Sequence, residues 1–106
     1  MGWMDGLFGA RPAGDETAPA PDVDRTLVLY KYDACPYCRL VLGRLARLDN
    51  VQVDLRDTLR DSGARRELYD LTGRTQVPCL LIDGEPLFES ADIARWLERY
   101  AQRPAA

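Results

Sequence analysis

Apolar and polar positions alternate along this chain in a way that predicts an ordered series of strands and helices. Thr26-Leu27-Val28-Leu29-Tyr30-Lys31-Tyr32 is dense in β-forming residues and is bounded by Asp24-Arg25 and Asp33, which predicts a strand with two buried faces. After Pro36, a residue suited to a first helical turn, Leu40, Val41, Leu45 and Leu48 recur at helical spacing with Arg39, Arg44 and Arg47 mostly between them. A helix over about residues 36–49 is expected. Val51-Gln52-Val53-Asp54-Leu55 has period two and reads as a second strand, and the stretch from Ala64 to Leu71, with Leu68 and Leu71 three apart and a stop at Thr72-Gly73, reads as a second helix. Val77-Pro78-Cys79-Leu80-Leu81-Ile82 predicts a buried strand, Asp83-Gly84 a hairpin turn, and Pro86-Leu87-Phe88 the returning strand. Ser90 is the expected N-cap of a last helix, reaching about residue 102, whose apolar face is Ile93, Trp96, Leu97 and Tyr100.

The order is therefore β-α-β-α-β-β-α. A right-handed β-α-β unit joined to a β-β-α unit gives an α/β fold with one four-stranded mixed sheet flanked by helices. Residues 1–24 are rich in Ala, Gly, Pro and Asp, and Pro12, Pro19 and Pro21 interrupt both helix and strand. They are expected to form a mobile N-terminal arm ahead of a domain over residues 25–103. Trp3 and Phe8 in that arm have the alternative reading of a short docking segment.

Composition narrows the chemistry. A length of 106 residues with 46% hydrophobic content fits one domain, and no apolar run approaches the roughly 18 residues of a membrane span. Fourteen Lys plus Arg against 17 Asp plus Glu leave a formal charge of −3, which lacks the broad positive field of a nucleic-acid binder. The absence of histidine removes the commonest general base and metal ligand, and with them any Ser-His or Cys-His pair. Three cysteines do not build a secreted disulfide framework, and Met1 to Phe8 lacks a basic leader and a signal-peptide layout, so a reducing cytoplasm is the expected compartment.

Two of those cysteines form Cys35-Pro36-Tyr37-Cys38, a spacing that serves redox pairs and zinc sites alike. Zinc would need two more ligands, and the one thiol left, Cys79, stands alone. The redox reading gains from position. Cys35 follows a strand and falls at the N-cap of a helix, where unpaired N–H groups and the helix dipole favour a thiolate. Cys38, one turn further in, is placed to resolve a mixed disulfide on Cys35 and should keep the higher pKa. The plain alternative is two core cysteines. Pro36 and Tyr37 favour the redox role, because a fixed helix start and an aromatic wall suit an exposed, preorganised sulfur. Cys79, inside an apolar strand, is expected to be buried.

The segments Lys31-Tyr32-Asp33-Ala34-Cys35-Pro36-Tyr37-Cys38-Arg39, Leu71-Thr72-Gly73-Arg74-Thr75-Gln76-Val77-Pro78 and Ile82-Asp83-Gly84 together resemble the glutaredoxin family of the thioredoxin superfamily, over about residues 26–102. The resemblance implies a thioredoxin-like fold and a cis Val77-Pro78 bond facing the redox pair. It also implies that Val77 offers its backbone to an extended glutathione, that Lys31 meets the glycyl carboxylate and biases Cys35 toward thiolate, and that Tyr37 packs beside the tripeptide. Gln76 stands where the family commonly has Thr. Phe88-Glu89-Ser90-Ala91-Asp92 replaces the usual Gly-Gly and acidic pair, and its Glu89-Ser90 is similar to the dipeptide with which glutathione transferase N-terminal domains hold the γ-glutamyl end. The glutathione contacts so implied are Lys31, Tyr37, Gln76, Val77, Pro78, Glu89 and Ser90. Arg39 and Arg74 are weaker candidates.

The expected function is glutathione-dependent reduction of protein disulfides or protein–glutathione mixed disulfides, with Cys35 as nucleophile and Cys38 as resolving thiol. Glutathione is co-substrate, no metal is expected, and the partners are disulfide-bearing or glutathionylated proteins acting on a monomer. Two alternatives keep the fold. One is a transferase-like or prostaglandin-E-synthase-like glutathione-binding domain, less favoured for want of a helical domain after Ala106. The other is an iron–sulfur carrier with Cys35 as ligand, less favoured because Pro36 crowds the ligating thiol.

Overall fold

The computed structural model describes residues 14–104, so Trp3 and Phe8 lie outside the described residues. Strand β1 (Leu27–Lys31) and strand β2 (Asp54–Asp57) pair in parallel, and β1 pairs antiparallel with β3 (Cys79–Ile82), which in turn pairs antiparallel with β4 (Glu85–Leu87). The four-stranded sheet has the order β2-β1-β3-β4. Helix α1 (Gly14–Thr17) is a single turn, followed along the chain by α2 (Pro36–Leu45), α3 (Ser62–Thr72) and α4 (Ser90–Ala101).

Strand alternation divides the core in two. Leu27, Leu29, Leu80 and Ile82 point to one face and pack with Val41 of α2 and with Ile93, Trp96, Leu97 and Tyr100 of α4. Tyr30, Cys79 and Leu81 point to the other face and meet Ala64 and Leu68 of α3. Each fully buried aliphatic side chain contributes about 1.5–3 kcal/mol, so the first face, closed by two helices, holds most of the apolar stabilisation. Trp96 and Tyr100 stack there with ring centroids 4.9 Å apart. At the hairpin, Asp83 and Gly84 both take positive φ, 49° and 87°, as a two-residue type I′ turn requires. The Asp83 carboxylate accepts from the Thr26 N–H at 2.8 Å and pairs with Arg25 at 3.1 Å, contacts that hold its pKa below the usual carboxylate value.

Several boundaries differ from the sequence pattern. The helix expected over residues 36–49 ends at Leu45, because Arg47 and Leu48 donate to Arg44 and Leu45 in tight i−3 turns and Asn50 takes a φ of 52°. The strand expected over residues 51–55 begins only at Asp54. Val51 and Val53 pack against the core instead, and pairing runs from Val28 opposite Asp54 to Lys31 opposite Asp57. Leu40 and Leu71, expected on apolar faces, are exposed. Ser90 is not the cap of α4. Glu89 holds that position with φ 71° and ψ 111° and no side-chain cap bond, which makes Ser90 the first helical residue.

From residue 18 onward, the stretch read as part of a mobile arm lies against the domain. Ala18 packs on the larger core cluster, and the Trp96 indole N–H donates to the Pro19 carbonyl at 2.8 Å. A buried indole needs an acceptor, and this backbone supplies it. The Tyr100 hydroxyl accepts from the Arg25 N–H at 2.8 Å and donates to the Arg25 carbonyl at 3.2 Å.

Candidate active site

The turn between β1 and α2 is closed by the Cys35 N–H donating to the Tyr32 carbonyl at 3.2 Å. Cys35 is extended, with φ −74° and ψ 121°, and is the N-cap of α2. Its Sγ accepts from the Cys38 N–H at 3.4 Å, and Pro36 follows as a first helical residue with no N–H to satisfy. All three cysteines are free thiols. The placement expected for Cys35 as a cap is present, but its sulfur is less open than Pro36 and Tyr37 suggest: the residue is 6% exposed, while Tyr37 beside it is 65% exposed.

Cys38 is fully buried. That burial above all pushes its thiol up to about 12, the hydrogen bond with Cys35 acts in the same direction, and a backbone hydrogen bond at Tyr32 opposes it. Cys38 is thus held neutral at physiological pH. Cys79 sits on the α3 side of the sheet among Tyr30, Ala64, Leu68 and Leu81, and burial pushes it up to about 12 as well.

Six residues from three separate segments converge beside the thiol pair. Tyr37, Gln76, Val77, Pro78, Glu89 and Ser90 line one cleft of ≈ 230 Å³, and the Val77–Pro78 bond is cis. The cleft is lined by Tyr37 of α2, by the segment before β3 and by the start of α4. There Glu89 directs its carbonyl to the Ile93 N–H at 3.0 Å. With no side chain capping that end, the first-turn N–H groups of α4 offer an anion both hydrogen bonds and the positive end of the helix dipole.

Lys31 is not part of this cleft. Its ammonium lies 2.7 Å from Asp33 and 3.5 Å from Asp57, and its pKa is raised chiefly by the hydrogen bond to Asp33. Asp57 in turn accepts from the N–H groups of Leu59 and Arg60, each at 2.9 Å. The backbone bond from Arg60 is the main reason that its pKa lies below the usual value. Asp33 and Asp57 are the residues that sequence reasoning missed. Asp33 was detectable two positions after Lys31, but Asp57 meets Lys31 only through the parallel register of β1 and β2. Of the weaker candidates, Arg74 lies over the Phe88 ring at 4.7 Å and donates to Gln76 Oε1 at 3.4 Å.

Among the described residues no three of His, Cys, Asp and Glu come together as a set able to hold a metal ion, and no helix is long and apolar enough to cross a membrane.

Residues 29–105 match the model of the family described as glutathione S-transferase, N-terminal domain. Among solved structures, the crystal structure of a mutant thioredoxin-like protein is 27% identical with a TM-score of 0.58, covering 68% of this chain and 99% of its own. The solution structure of glutaredoxin from Brucella melitensis is 22% identical with a TM-score of 0.51, covering 76% and 85%. The holo form of glutaredoxin C1 from Populus tremula x tremuloides is 20% identical with a TM-score of 0.54, covering 91% and 89%. The shared fold with these structures is thioredoxin-like. No curated protein matches the sequence at a significant level.

Proposed function

The chain belongs to the family of glutathione S-transferase N-terminal domains, on a thioredoxin-like fold, and from that premise we propose that it is a glutathione-dependent thiol-disulfide oxidoreductase with Cys35 as its nucleophile. The observation that carries the reading is the single cleft formed by Tyr37, Gln76, Val77, Pro78, Glu89 and Ser90 next to a cysteine-capped helix. An extended tripeptide laid across it finds backbone donors and acceptors at Val77, an aromatic wall at Tyr37, and a helix start for its γ-glutamyl carboxylate at Ser90, with the Glu89 carboxylate for its ammonium.

The chemistry then runs in two exchanges. The Cys35 thiolate attacks the glutathione sulfur of a mixed disulfide, a Cys35–glutathione disulfide forms, and the substrate leaves as a thiolate that takes a proton from water. A second glutathione thiolate attacks the adduct, oxidised glutathione leaves, and Cys35 returns as thiolate. On a protein disulfide, Cys38 closes the pair instead and releases the bound thiol. Burial keeps Cys38 protonated until an adduct forms beside it. Lys31 is tied to Asp33 and Asp57, and Arg60 pairs with both carboxylates, so Lys31 belongs to a balanced charge cluster and is not a free cation.

The family match favours one second reading, conjugation of glutathione to an electrophile. There the attacking sulfur is glutathione's own and Cys35 is dispensable. Turnover of a small glutathione mixed disulfide by wild-type and Cys35→Ser protein separates the two. Loss of turnover in the variant is expected, and a variant as active as wild type would rule out the oxidoreductase reading.

A further inference from the structure

A second cleft, outside the site above, is larger and has a different character. It occupies ≈ 490 Å³ on the outer face of α3, where Ser62, Arg65, Arg66 and Tyr69 fall at helical spacing, and it is closed by Arg74 and Thr75 of the loop that follows. The loop is turned back over the helix by Gly73, which caps α3 with φ 76° and donates its N–H to the Tyr69 carbonyl at 2.7 Å. A left-handed residue at this place suits glycine, and it is what brings Arg74 across from Arg65 and Arg66.

Three guanidinium groups meet here in a chain whose net charge is −3. Elsewhere arginines lie against carboxylates, as Arg25, Arg44, Arg56, Arg60 and Arg103 do. In this cleft the pairing is incomplete. Among the described residues neither Arg65 nor Arg74 has a carboxylate partner, and Arg74 is held by the neutral oxygen of Gln76 and the ring of Phe88. Arg66 has Asp70 at 3.3 Å, an exposed pair of small net worth. Planar guanidinium forks left with free N–H donors, beside the half-exposed ring of Tyr69, make a surface suited to carboxylates.

Its position says what would deliver those carboxylates. Arg74 touches Gln76, and Gln76 lines the candidate glutathione cleft, so the two clefts meet at residues 74–76. A protein presenting a mixed disulfide to Cys35 has a neighbouring stretch of chain within reach of the arginines. A long phosphate polymer would need a broad positive field, which the net charge denies, whereas a short acidic stretch responds to the local field alone. We propose that the cleft formed by Arg65, Arg66, Tyr69 and Arg74 is a docking groove for an Asp- or Glu-rich segment of the protein substrate. The proposal rests on the oxidoreductase reading, which it deepens by naming a substrate class.

The test uses the full chain, a Glu-rich fluorescent peptide lacking cysteine, and the same peptide with Gln for Glu. By anisotropy at low salt the acidic peptide should bind at least about tenfold tighter than its neutral counterpart, and Arg65→Glu/Arg66→Glu should remove that preference. In turnover, glutathionylated cysteine-containing versions of both peptides are compared with a small glutathione mixed disulfide. The double variant should lose about tenfold in kcat/KM on the acidic peptide and keep its rates on the other two. An equal loss on all three substrates would mean that the arginines grip glutathione itself and would overturn the groove, as would acidic-peptide binding that charge reversal leaves unchanged. Absence of glutathione-dependent turnover in the wild-type chain would overturn the parent reading, while the binding arm still decides for or against the groove.

Discussion

Helices α3 and α2 begin alike and are closed by different atoms. At α3 the extended residue Asp61 accepts from the Gly63 and Ala64 N–H groups at 2.9 and 3.2 Å, so a full negative charge already sits on the helix dipole. At α2 the same position holds Cys35, whose sulfur accepts one N–H at 3.4 Å. A neutral thiol is a weak acceptor, so the side-chain cap of α2 is weaker than that of α3. The start of α4 goes further, since Glu89 gives it no side-chain cap at all. The cap at α3 serves stability, whereas the start of α2 carries a weaker cap and the start of α4, which lines the candidate cleft, carries no side-chain cap.

Exchanging the capping atoms tests this contrast, and the largest effect belongs to the sulfur. Cys35→Ser keeps an oxygen cap on α2 but should lower turnover of a glutathione mixed disulfide by at least about 10³-fold, whereas Asp61→Ser, at the helix away from the cleft, should leave turnover within about twofold. Both are read in one coupled assay. If the two variants lost activity equally, the two helix starts would not differ in the way described.

Glu89 comes next, because it joins a left-handed backbone to a candidate ligand carboxylate. Glu89→Ala and Glu89→Gly should both raise KM for glutathione about tenfold, which corresponds to about 1.4 kcal/mol. Glu89→Gly should unfold about 1 kcal/mol later in urea than Glu89→Ala, since glycine adopts this φ without a Cβ penalty. A KM change confined to one of the pair would separate backbone from carboxylate in the opposite sense.

Asp61→Ala should cost about 1 kcal/mol in the same urea titrations with no change in turnover, which marks α3 as the purely structural start. The smallest effect is that of pH. Cys38 and Cys79 both have folded-state pKa values raised from 9.0 to about 12, so the folded chain holds those protons after the unfolded chain has released them. Their contribution to stability is therefore full below pH 9 and declines from there to about pH 12. Urea midpoints should fall between pH 8 and pH 10, and less so in Cys38→Ala and Cys79→Ala. An identical slope in these variants would assign the decline to other groups.

The sequence pattern made the sheet and the two-helix face legible, because β1 and β3 are continuous apolar runs and α4 carries its apolar residues at helical spacing. Edge and polar features were not legible in the same way. Val51 and Val53 alternate like a strand yet precede it, packing on the core while the pairing of β2 with β1 begins at Asp54 opposite Val28. Ser90 has the chemistry of a cap, but the cap position follows from the backbone angle of Glu89, which no residue type announces. Asp61, the cap of α3, lies three residues before the stretch from Ala64 to Leu71 that the apolar pattern marked. The cysteine turn could be placed from local rules, whereas the convergence of Tyr37, Gln76, Val77, Pro78, Glu89 and Ser90 depends on sheet order and came from family resemblance. Lys31 could be placed at the end of β1 from its motif, but of its two ion-pair partners only Asp33 is local in sequence, and Asp57 reaches it through the parallel register.

The most direct test of the central claim is to trap the intermediate. Cys38→Ser protein, unable to resolve an adduct internally, is incubated with a glutathione mixed disulfide, quenched with acid, and mapped by mass spectrometry. One glutathione per chain, carried on Cys35 with Cys79 unmodified, is the predicted result. A chain that stays unmodified, or one that carries glutathione on Cys79 instead, would contradict the assignment of Cys35 as nucleophile.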